Sequence, residues 1–106
     1  MALLTKVAEA RGWQLRADNP VVESAVGTLG AFAELGRTEL VDRLASYAEL
    51  ADGVAALDLA GIRGLPERET VVEAAVVGTV LGDALFAALR RLAQEHASAT
   101  SWPAAR

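Results

Sequence analysis

The sequence predicts an all-α protein, a compact bundle of about four helices that assembles through the last of them. Three observations carry this expectation. Apolar residues recur at helical spacing through most of the chain, and capping residues, Pro and Gly fall where helices would begin and end. No alternating apolar and polar run of useful length appears, and no Asn-Gly or Asp-Gly lies between two β-branched segments, so strands are unsupported. The expected helices cover 2–11, 20–35, 38–60 and 66–97 of a single domain spanning 1–106.

In the first helix Leu3, Val7 and Ala10, with Leu4 and Ala8 beside them, share one face, and Gly12 is a natural stop. Residues 13–19 have no helical rhythm; Trp13 and Leu15 are expected to form a flap over an open end of the core. Asn19-Pro20 is a start signal. Proline has a preset backbone angle and lacks the amide hydrogen that the first turn leaves unpaired, and asparagine before it can cap. Gly36 ends the second helix as a left-handed stop, and Thr38 opens the third, with Glu39 in a first turn whose dipole favours negative charge. The inward seam of the third helix is Leu40, Leu44, Tyr47, Ala51 and Val54. Gly53 costs about 1 kcal/mol relative to alanine inside a helix, yet the apolar rhythm continues through Leu57 and Ala60, so a kink and a break at 52–53 are both open. Gly61, Gly64 and Pro66 mark a connection. The fourth helix opens near Pro66 with Glu67 and Glu69 and closes with Arg90 and Arg91, charges that suit its dipole, and Ser98 to Arg106 should fray.

Composition narrows the function classes. A chain of 106 residues buries roughly 60 to 68% of its unfolded surface, and with 53% hydrophobic but only 5% aromatic residues its core is thin and built from small side chains. Association would add burial. A net charge of −4, from 14 acidic and 10 basic residues, is not the basic footprint of a nucleic-acid binder, so no nucleic-acid partner is expected. The absence of cysteine excludes disulfides, thiolate nucleophiles and cysteine-based zinc sites. His96 is the one imidazole, and its neighbour Glu95 lies on a different face, so no metal site is expected. The opening MALLTKVAEARG is broken by Lys6 and Glu9 and does not suit a secretory signal, which leaves the cytoplasm as the expected location. Ala74 to Gly82, bracketed by Glu73 and Asp83, falls short of the roughly 20 apolar residues of a spanning helix, so no membrane partner is expected.

The fourth helix is apolar on nearly its whole circumference, which predicts a buried central helix covered by the other helices, by a second copy or by a ligand. Val71, Ala75, Gly78, Gly82, Leu85, Leu89 and Leu92 form a four-three stripe, flat in its first half and leucine-rich in its second. Each glycine inside a helix carries an entropic cost that a close contact must offset. Gly27 and Gly30 of the second helix are candidates to face Gly78 and Gly82 within one chain; a second subunit and an aliphatic or flat ligand are the other two. Glu73, Asp83 and Arg90 read as a narrow solvated stripe, but a central helix would bury Asp83 and require a partner such as Arg43. Arg43, Tyr47 and Asp83 are thus the polar candidates for the edge of a pocket.

No catalytic residue is assigned. Tyr47, Trp13, Trp102 and His96 each have an easier structural role, and no nucleophile elbow, phosphate-binding glycine loop or paired metal-ligand motif is present. No cofactor is expected either. Leu81-Gly82-Asp83-Ala84-Leu85 is similar to the Leu-Gly-x-Asp-Ser-Leu motif of acyl and peptidyl carrier proteins, but Ala84 stands where the serine would hold a phosphopantetheine arm, and no carrier role follows. Residues 21–32 echo 71–86, each with Val-Val-Glu followed later by Leu-Gly and a Phe, and both chance likeness and a duplicated hairpin fit. The expected function is a small soluble helical interaction or oligomerisation module, an adaptor, regulatory or accessory subunit, acting as a homodimer or on another protein. The alternative is a bundle pocket for an apolar small molecule, as a sensor or small cofactor-free enzyme.

Overall fold

The computed structural model describes residues 2–63 and 67–101. It contains α1 (Ala2–Arg11), α2 (Pro20–Glu34), α3 (Glu39–Asp42), α4 (Leu44–Ile62) and α5 (Arg68–Ser101), with no strand among the described residues. The all-α class is as the sequence predicts.

The helix ends follow from their residues. Asn19 stands in extended conformation before Pro20, and its Oδ1 accepts from the Val21 amide at 2.9 Å. Gly12 and Gly36 adopt φ values of 75° and 69°, the left-handed region open to glycine. After α2 the Arg37 amide donates to Phe32 O and the Gly36 amide to Ala33 O, and after α1 the Trp13 and Gly12 amides donate to Ala8 O and Glu9 O. Both stops therefore satisfy two carbonyls that the last turn leaves unpaired. A Cβ built at Gly36 would meet nothing within 4 Å, so the strain of a side chain there is purely conformational. Gly36→Ala should cost about 1 kcal/mol and lower the melting temperature by roughly 4 to 8 °C, read by circular dichroism.

The third expected helix is divided, though not at 52–53. Arg43 leaves helical geometry at φ −102°, ψ 10°, its amide turning back to Leu40 O at 3.2 Å while its carbonyl accepts from the Tyr47 amide at 3.1 Å. One short turn, α3, thus precedes α4, and Gly53 lies inside an unbroken helix. Thr38 occupies the capping position of α3, but its side chain makes no cap hydrogen bond; the Asp42 amide reaches its backbone carbonyl at 2.8 Å instead.

The chain divides into two units, Met1–Leu57 and Asp58–Arg106. The buried apolar residues Leu4, Val7, Ala8, Val22 and Ala48 all belong to the first, where α2 also lies against α3. Both inward faces are rotated from their expected positions. On α1 the buried set is Leu4, Val7 and Ala8, with Leu3 and Ala10 exposed; on α4 it is Ala48, flanked by half-buried Leu44 and Asp52, while Tyr47 is 40% exposed. The rotation has a physical cause. The Asp52 carboxylate accepts from Arg11 Nε at 2.6 Å and from Trp13 Nε1 at 2.7 Å, and these two bonds turn the Leu44, Ala48, Asp52 flank toward α1. Trp13, half-buried, is held against α4 by that bond.

The second unit is dominated by α5, 34 residues long and so about 51 Å from end to end at 1.5 Å per residue. It begins at Arg68 and runs past Ala97 to Ser101, the hydroxyl of Thr100 donating to His96 O and Ala97 O. Ser98 to Ser101, expected to fray, are helical; the connection and start at Gly64 and Pro66, and Trp102 onward, lie outside the described residues. None of the described residues of α5 is buried. The sequence predicts a buried helix here; the buried apolar residues among those described belong instead to the first unit.

Candidate functional site

Because α5 is continuous, the seven stripe residues do share one face. Along it Val71, Ala75 and Gly82 are half-buried and Gly78 is exposed, and beyond them Leu85, Leu89 and Leu92 are 61%, 49% and 61% exposed. Leu81 and Phe86 flank the same face and are exposed as well. So long an apolar surface is rarely left open to water without a use for it.

The four helical glycines of the echo stand in open space. A Cβ built at Gly78 or Gly82 meets nothing within 4 Å, and the same holds at Gly27 and Gly30. Arg43 and Asp83 belong to different units. Both are exposed, and the ion pairs formed among the described residues are Arg11–Asp52, Arg16–Asp18 and Arg37–Glu39. Solvated Asp83 needs no internal partner.

A groove of about 480 Å³ does exist, in the first unit, with Leu3, Lys6, Val7, Arg11, Val41 and Glu49 on its walls. Neither Arg43 nor Tyr47 lines it, nor does any stripe residue of α5.

Comparison with protein-family models, with curated proteins and with solved structures finds no match to this chain.

The internal echo is helical in both copies, and Thr28 and Thr79 make the same bond to the carbonyl four residues earlier, at 2.9 Å each. Burial separates them. Val22 is 7% exposed, and its counterpart Val72 is 55% exposed. Equivalent positions thus differ in burial.

By length and composition α5 also passes as a bilayer-crossing helix, which the short stretch between Glu73 and Asp83 alone does not. A buried core helix passes the same test, but none of the described residues of α5 is buried.

The Arg11–Asp52–Trp13 cluster was not foreseen in the sequence. Its signal was the placement of Asp52 four and eight residues after Ala48 and Leu44, on one helical face. The hydrogen bond from Arg11, then that from Trp13, and then the guanidinium charge hold the Asp52 carboxyl below its ordinary value of 3.8. As pH falls the unfolded chain takes up this proton first, so the cluster's contribution is complete above the ordinary carboxylate range and is lost as pH drops through the lowered pKa. Asp52→Asn keeps one acceptor for two donors. It should lower the melting temperature by several degrees at neutral pH, shift Trp13 emission to the red, and remove the acid transition below pH 3.8 in a Trp13 fluorescence titration.

Proposed function

We propose that this chain is a small helical protein–protein interaction or oligomerisation module, an adaptor, regulatory or accessory subunit that pairs with a second copy through the apolar face of α5. One observation carries the reading: Leu85, Leu89 and Leu92 stand in line and exposed beside a flat stretch at Gly78 and Gly82 that no other backbone fills. A leucine row without cover is costly in water, and a second identical helix supplies a matching row. The scarcity of aromatic residues and the small core among the described residues limit what each chain buries alone, which adds to the value of association.

The pocket reading has weaker support. The groove of the first unit is lined by Lys6, Arg11 and Glu49 as well as apolar residues, and the glycines of α5 open onto solvent. Sedimentation equilibrium separates the readings, with a dimer mass at micromolar concentration expected; a monomer throughout the micromolar range rejects the proposal. Native mass spectrometry of fresh protein adds a direct check for a retained small molecule.

A further inference from the structure

We draw no further inference here: the strongest candidate, the groove of the first unit with Lys6 of α1 on one wall and Asp42 of α3 and Glu49 of α4 on the other, is rimmed by exposed side chains of both charges, and nothing in the structure shows what covers it.

Discussion

Leu85→Glu combined with Leu89→Glu is expected to yield a helical monomer. Burying a leucine fully gives about 1.5 to 3 kcal/mol relative to leaving it exposed. These two are already partly covered, at 61% and 49% exposure, so about 1 kcal/mol apiece is a fair share of that gain. Four such side chains in a dimer make about 4 kcal/mol, close to a thousandfold in the dissociation constant. Inside the single chain the substitution removes no core, because the buried set is Leu4, Val7, Ala8, Val22 and Ala48. Glutamate is also a good helix former. Circular dichroism should therefore change little while sedimentation shifts from dimer to monomer. Collapse of helix content in the monomer would mean that these leucines hold the chain's own fold, against their exposure; an unchanged dimer would place the contact elsewhere.

The contrast between the two units explains what could be read from the sequence and what could not. Local chemistry was legible: Asn19-Pro20 starts a helix, and Gly12 and Gly36 stop helices in the left-handed conformation, because these depend on a residue and its immediate neighbours. The rotation of α4 was not, since it is set by Asp52 meeting Arg11 and Trp13 from some forty positions earlier in the chain. Periodicity favoured Tyr47 on the seam, yet Ala48 takes that place and Tyr47 faces outward. The break at Arg43 was likewise hidden, for no glycine or proline marks it, whereas Gly53, an obvious candidate, lies within continuous helix. The greatest difference concerns α5. Its apolar circumference was plain in the sequence, but hydrophobicity states only that cover is needed and not whether the same chain supplies it. For the candidate site, the stripe itself was legible as a face, while the proposed roles of Arg43 and Asp83 depended on burial that neither residue has.

Gly82 offers the sharpest separation between the single chain and an assembly. Nothing lies within 4 Å of a Cβ built there, and its backbone is ordinary helix, so a side chain has both room and a compatible conformation. Gly82→Ala should thus stabilise α5 by about 1 kcal/mol through helix propensity alone. Gly82→Leu should likewise leave the helix content of the chain intact or raised. In a pair that brings a second α5 over this glycine, the added bulk occurs twice. Overpacking costs typically 1 to 3 kcal/mol per site, so dimerisation should weaken at least tenfold, and up to several hundredfold if neither site relaxes. Higher helix content with a weaker dimer is the expected combination, measured by circular dichroism and sedimentation equilibrium on the same samples. If Gly82→Leu instead strengthens association, the leucine is extending an apolar surface rather than blocking a close approach, and the glycine has no place in the contact.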